Sequence, residues 1–222
     1  MSAPTIESFE TDNGAIEEST RCDATYSRGD AHYNEFYRRG GWKYSFIKEY
    51  LWHRKHFMKR FHLRRGMKCL EVACGNGFHT NLLTRMGLNC VGVDRSWEGI
   101  AWAKSHFRKP AYFCCDLMGD LPGGMGAYDV VYARGCSNYH YDQMSPRALD
   151  TTAHLVSYLK PGGVFVMAIV TDLSGRKQPG RIWNNTLQDY QRHFSSFGLD
   201  WSVDWVKGMV ICGLFKNPQQ SR

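Results

Sequence analysis

The 222-residue chain contains no apolar run approaching the ~20 residues of a membrane-spanning helix; its longest stretches, such as 164–170, are far shorter. The basic start and apolar core of a secretory leader are also missing, so a cytoplasmic location is expected. There is no internal repeat and no low-complexity tract. Eight cysteines are present but no CxxC pair, and Cys114 and Cys115 are adjacent, a spacing foreign to zinc sites. Cys69, Cys74, Cys90, Cys114 and Cys212 sit in or beside apolar runs, where a free thiol acts as a small hydrophobe. Buried reduced thiols are expected, with no metal.

Charge is plentiful but unevenly placed, for a net of +7. Residues 1–20 hold five acids and no base, and residues 1–27 read as an acidic, flexible tail. Between 28 and 68 the balance reverses, with Arg38, Arg39, Lys48, Arg54, Lys55, Lys59, Arg64 and Arg65 among the cations. Such a surface suits phosphates or nucleic acid, or is simply a solvated helix face. Oligomeric state is not legible.

Aromatic residues at three- and four-residue spacings predict helix over 30–61, broken near Gly40-Gly41. Short apolar runs then alternate with helical segments. Strands are predicted at 68–73, 89–93, 111–115, 128–133 and 163–170, and helices at 80–86, 96–106, 146–159 and 186–197. Ser96 is a plausible N-cap. Two final strands, 200–206 and 209–215, flank Lys207-Gly208 as a hairpin. Repeated β-α alternation implies an α/β fold with a mostly parallel sheet between two helical layers. Residues 67–222 form its main domain, and 28–66 an N-terminal helical lid.

Three strand ends carry acids. The first strand runs into Glu71-Val72-Ala73-Cys74-Gly75-Asn76-Gly77, where glycines allow close backbone approach and the next helix offers unsatisfied N–H groups. Glu71 would meet a cationic group, and the helix N-terminus a carboxylate. Asp94, 19 positions after Gly75, suits a pair of ribose hydroxyls. Asp116 could accept from an adenine amino group, with the neighbouring Leu117 amide on a ring nitrogen. A nicotinamide fingerprint would need glycine or alanine where Thr80 stands.

This ordered set resembles the class I, Rossmann-like S-adenosylmethionine-dependent methyltransferases over roughly residues 67–216. Tyr128-Asp129-Val130-Val131-Tyr132 is similar to their fourth strand, and Leu159-Lys160-Pro161-Gly162-Gly163 to the turn into the fifth. The resemblance implies a seven-stranded sheet closed by an antiparallel hairpin, with S-adenosyl-L-methionine as cofactor. Ala73 departs from the family, which usually has glycine there. By the same resemblance Tyr33, Tyr37 and Trp42 are candidates to fold over the sulfonium, which aromatic faces attract.

The segment after the fourth strand would face the methyl group. His140 is the candidate base, with Tyr139 and Asn138 orienting, or else His140 caps its loop. Arg134 would sit near the methionyl moiety, bind an acidic substrate, or form a structural ion pair. Cys136 reads as packing. The expected reaction is in-line methyl transfer to nitrogen, oxygen or sulfur of a small molecule, an anion among the candidates. An RNA or protein acceptor using the basic lid, and a non-catalytic cofactor-binding partner subunit, are the alternatives.

Overall fold

The computed structural model describes residues 29–178 and 181–217; the acidic tail predicted at 1–27 lies outside them. Strands β1 (Lys68–Val72), β2 (Asn89–Asp94), β3 (Ala111–Cys114), β4 (Tyr128–Arg134) and β5 (Leu159–Val170) are parallel. The strands β6 (Asp200–Val206) and β7 (Met209–Phe215) form the predicted hairpin, and β7 runs antiparallel to β5. The sheet order is β3-β2-β1-β4-β5-β7-β6. Order reverses between β1 and β4, so a crevice opens above the carboxyl ends of the strands at that point.

β1, β4 and β5 are buried on both faces and largely apolar, as strands between two helical layers must be. One face packs Leu155 of α5 (Pro146–Ser157) and Tyr190 and Phe194 of α6 (Leu187–Ser195) against Phe165 and Met167. The other packs Leu83 of α3 (Phe78–Arg85) and the buried side of α2 (Phe46–His53) against Val130, Tyr132 and Val166. The remaining helices are α1 (Gly29–Arg38) and α4 (Trp97–His106). Ser96 caps α4 by accepting from the Gly99 amide at 3.2 Å, and its hydroxyl donates to Asn34 Oδ1 at 2.8 Å, which ties α1 to α4. No helix among the described residues is long and apolar enough to cross a membrane.

The helical stretch predicted over 30–61 with a break near Gly40-Gly41 is two helices, α1 and α2, and the second changes pitch. α2 continues into a π-helical segment, Arg54–Lys59. Its inward residues Glu49, His53, Phe57 and Phe61 fall four apart in number. An α-helix of 3.6 residues per turn would rotate that row off the sheet. Wider i→i+5 winding compensates, and keeps His53, Phe57 and Phe61 buried.

Candidate active site

The glycine-rich turn after β1 alternates handedness. Ala73, Gly75 and Gly77 have φ of +55°, +56° and +71°. Glycine adopts this region freely, whereas alanine is strained in it. Ala73→Gly is expected to stabilise the protein by about 0.5–1 kcal/mol, the left-handed penalty less glycine's unfolded-state entropy. A denaturation midpoint at or below wild type would contradict that strain. At Gly75 an added Cβ would stand 2.1 Å from the Tyr37 hydroxyl, because the Tyr37 ring of α1 lies directly on the turn. At Gly77 it would meet the Tyr112 ring at 2.6 Å, so this glycine serves packing between α4 and β3.

Asp94, at the end of β2, fastens the turn. Its Oδ2 accepts from the Gly75 amide and its Oδ1 from the Ser96 amide, both at 2.8 Å. The buried Glu71 accepts from the Thr80 hydroxyl on α3. Burial pushes its carboxyl up to about 8, since the charged form is poorly solvated there. Asp116 accepts the Met118 amide at 2.9 Å and so shapes the turn after β3.

These three acids share one cleft of about 530 Å³. Ala73, Leu117, Arg134, Asn138 and His140 also line it, as do Tyr33, Tyr37 and Trp42. Gly75 and Gly77 lie beneath as buried backbone. Tyr139 is not part of the wall: it is fully buried in a 3₁₀ turn (Ser137–Tyr139), its hydroxyl 2.9 Å from Thr152 Oγ1. The Tyr139 ring is turned inward instead, edge-on to His193 and beside Phe165. The Asn138 amide donates to Thr151 at 2.9 Å and its oxygen accepts from Arg147 at 3.0 Å.

His140 caps its loop and also lines the cleft. Its Nε2 lies 3.0 Å from the Gly135 carbonyl, an acceptor only, so that nitrogen carries the proton and Nδ1 keeps a lone pair. Burial holds the imidazole below its ordinary value, in the neutral form. Cys136 is fully buried and burial pushes its thiol up to about 11, as a packing role requires. All seven described cysteines are free thiols.

A cluster beside Glu71 was not singled out from the sequence. Glu49 of α2 takes Arg134 in a two-pronged pair, Oε2 to Nη1 at 2.8 Å and Oε1 to Nη2 at 3.2 Å. The guanidinium also lies 4.8 Å from the centre of the Trp52 ring. His79 Nε2 is 3.3 Å from Glu49 Oε2. His53 Nδ1 donates to the Glu49 carbonyl at 2.8 Å and its Nε2 faces the Tyr132 hydroxyl at 3.1 Å. The hydrogen bond from His79 and the charge of Arg134 overcome burial and hold Glu49 down at about 2. Burial brings His79 down to about 4 and keeps His53 neutral. Donor atoms of Glu49, His53 and His79 lie within 4.8 Å of one another, close enough for a metal triad. Here, however, a guanidinium already neutralises Glu49. The ion-pair reading of Arg134 is the one the geometry realises. The available signal was Glu49 and His53 one helical turn apart.

Residues 70–167 match the family model described as a methyltransferase domain. Over 103 residues, 46% of this chain and 46% of the relative, the sequence is 33% identical to an uncharacterized methyltransferase of Synechocystis. Over 108 residues it is 31% identical to a tRNA U34 carboxymethyltransferase of Azotobacter vinelandii, covering 46% of this chain and 32% of that one. The chain thus spans less than half the length of these curated relatives. Among solved structures, the complex of DhpI with SAH superposes with a TM-score of 0.63 at 21% identity, covering 86% of this chain and 96% of that one.

Proposed function

From a chain that carries a methyltransferase domain on the class I, Rossmann-like fold, we propose an enzyme that moves the methyl group of S-adenosyl-L-methionine to nitrogen, oxygen or sulfur of a small molecule in the cytoplasm. The observation that carries this reading is the convergence of Glu71, Asp94 and Asp116 on one cleft. Asp94 accepts the Gly75 amide on one oxygen and the Ser96 amide on the other, which fixes its carboxylate at the cleft where a ribose would lie. Asp116 and the Leu117 amide take the adenine edge, and Glu71 takes the α-ammonium. Tyr37 and Trp42, from residues 28–66, cover the sulfonium as part of the lid. Methyl transfer then needs an in-line nucleophile and little water, and Nδ1 of His140 is the group to receive the acceptor's proton. Calorimetry with S-adenosylhomocysteine tests the reading; no binding would end it.

Glu71 adds a proton to that measurement. Unliganded, it stays protonated below a pH of about 8. A bound ammonium and sulfonium favour its carboxylate, so binding of S-adenosyl-L-methionine at pH 7 is expected to release a proton. Affinity should rise with pH by up to about tenfold per unit and level off near 8. Heats measured in two buffers of different ionisation enthalpy give the proton count. Glu71→Gln should bring it to zero; an unchanged count in that variant assigns the proton elsewhere.

A second reading, an RNA acceptor, is favoured by Lys48, Arg54, Lys55 and Lys59, which stand exposed along α2 and its π-helical continuation. A relative named for tRNA supports the same reading. It requires RNA affinity that falls steeply with salt. Weak, salt-insensitive binding leaves the small-molecule reading alone.

A further inference from the structure

α2 and its π-helical continuation bury one face and leave the opposite one uncovered. Glu49 and His53 turn inward, to Arg134, His79 and Tyr132. Ile47 and Leu51 stand two positions before and after Glu49, each about 160° round the helix from it. They are 71% and 58% exposed, and neither belongs to an apolar core. Four positions apart, they make one aliphatic stripe. Lys48, Arg54 and Lys55 lie three or four positions from Leu51 and flank the stripe, and Lys59 continues the row; all four are exposed. Among the described residues, the arginine ion pairs here join Arg134 to Glu49 and Arg60 to Asp204, and none includes these four cations. Phosphate would use the cations and leave Ile47 and Leu51 in water. What covers this face has to be acidic and apolar together.

The chain itself supplies such a segment. Residues 1–20 hold Glu7, Glu10, Asp12, Glu17 and Glu18 with no basic side chain, and Ile6, Phe9 and Ile16 are interleaved among them. The reach suffices. Phe9 precedes Gly29 by twenty residues, roughly 65 Å of extended chain. Phe46 stands no more than about 45 Å from Gly29, the length of α1 plus an extended link. Tethering holds such a segment at an effective concentration in the millimolar range, so a modest intrinsic affinity is enough. We propose that residues 6–18 dock on the outward face of α2, their apolar side chains on Ile47 and Leu51 and their carboxylates against Lys48, Arg54, Lys55 and Lys59. Docked there, the segment occupies the cations that the RNA reading uses, and any polyanion has to displace it. Nothing in this contact depends on methyl transfer.

The test is zero-length carbodiimide coupling of the full chain, which joins a carboxylate to a lysine amine only where the two touch, read by peptide mass spectrometry. An equal mixture of ¹⁴N- and ¹⁵N-labelled chains separates links within a chain from links between chains. Glu7, Glu10, Glu17 or Glu18 is expected to couple to Lys48, Lys55 or Lys59 of the same chain. Lys104 and Lys109 are the controls, exposed on or beside α4, which α1 touches. Links to α2 and its continuation should exceed links to these two by about fivefold or more. Ile47→Ser combined with Leu51→Ser leaves every charge in place and should lower those links by about threefold or more, with an unchanged urea midpoint as the check on folding. Links no more frequent than at the controls, no links at all, or a double variant that couples like the wild type would each overturn the proposal. Links of mixed isotope would give the face to a second copy instead. Binding of the full chain to phosphatidylglycerol vesicles that the double variant loses would give it to a lipid surface, and overturns the proposal as well.

Discussion

Glu49→Ala is expected to lower the stability of the folded chain by on the order of 3 kcal/mol, the lower end of what breaking a buried ion pair costs. The pair is 17% exposed on the Glu49 side and 13% on the Arg134 side, so water screens it slightly. Removing the carboxylate leaves a guanidinium with neutral neighbours such as the Trp52 ring and His53 Nε2, 3.4 Å from its Nη1, and it takes an acceptor away from His79. Because Glu49 joins α2 to β4 and α3, the loss should appear as a lower midpoint in urea with an unchanged slope. Arg134→Leu should cost a similar amount, and the double variant much less than the sum. Strict additivity, or a loss below 1 kcal/mol for Glu49→Ala, would mean that the pair is ornamental. Acid adds a second signature. His79 titrates near 6.5 when unfolded and near 4 when folded, and His53 is shifted the same way, so the unfolded chain binds more protons in that interval. The contribution of these two histidines is therefore full above pH 6.5 and falls as pH drops toward 4, whereas Glu71, raised to about 8, contributes in the opposite sense as pH rises from 4.5 to 8. Glu49 contributes above its ordinary 4.5, and that part is lost as pH falls through about 2. His79→Asn should flatten the limb between 6.5 and 4.

The sheet and the three acids that line the cleft from the ends of β1, β2 and β3 were legible in the sequence because their signals are local. A run of five apolar residues, a glycine turn and an acid at a strand end are each fixed by neighbours in the chain. Ser96 caps α4, and the hairpin begins and ends where Lys207-Gly208 and the alternating apolar residues require. What was not legible depends on partners distant in sequence or on local pitch. Glu49 and Arg134 are 85 residues apart, and neither stretch announces the other. Tyr139 sits between two cleft residues in sequence but is turned inward by a 3₁₀ winding that no periodicity of so short a segment reveals. The predicted helix over 30–61 was right in kind. Its π-helical segment answers to the packing that keeps His53, Phe57 and Phe61 buried, a tertiary demand. Ala73 shows the reverse case: its departure from glycine was visible, and the strain at +55° is its consequence.

Asp94→Ala is expected to weaken binding of S-adenosylhomocysteine by roughly 1.5–3 kcal/mol, the worth of charge-assisted hydrogen bonds, or about 10- to 150-fold in Kd. Two contributions are joined in that number. One is the direct pairing of the carboxylate with the ribose hydroxyls. The other is the loss of its bonds to the Gly75 and Ser96 amides, which hold the glycine turn and the start of α4 in place before any ligand arrives. A second ligand lacking the ribose 2′ and 3′ hydroxyls separates them. If Asp94 grips the ribose, the deoxygenated ligand should lose affinity for the wild type but be far less sensitive to the substitution. If Asp94 acts only by bracing the turn, both ligands should weaken equally in the variant. Asp94→Asn should fall between wild type and alanine, since its one remaining oxygen can satisfy one amide while its NH₂ group repels the other. A calorimetric Kd for Asp94→Ala within twofold of wild type would detach the end of β2 from the cofactor altogether.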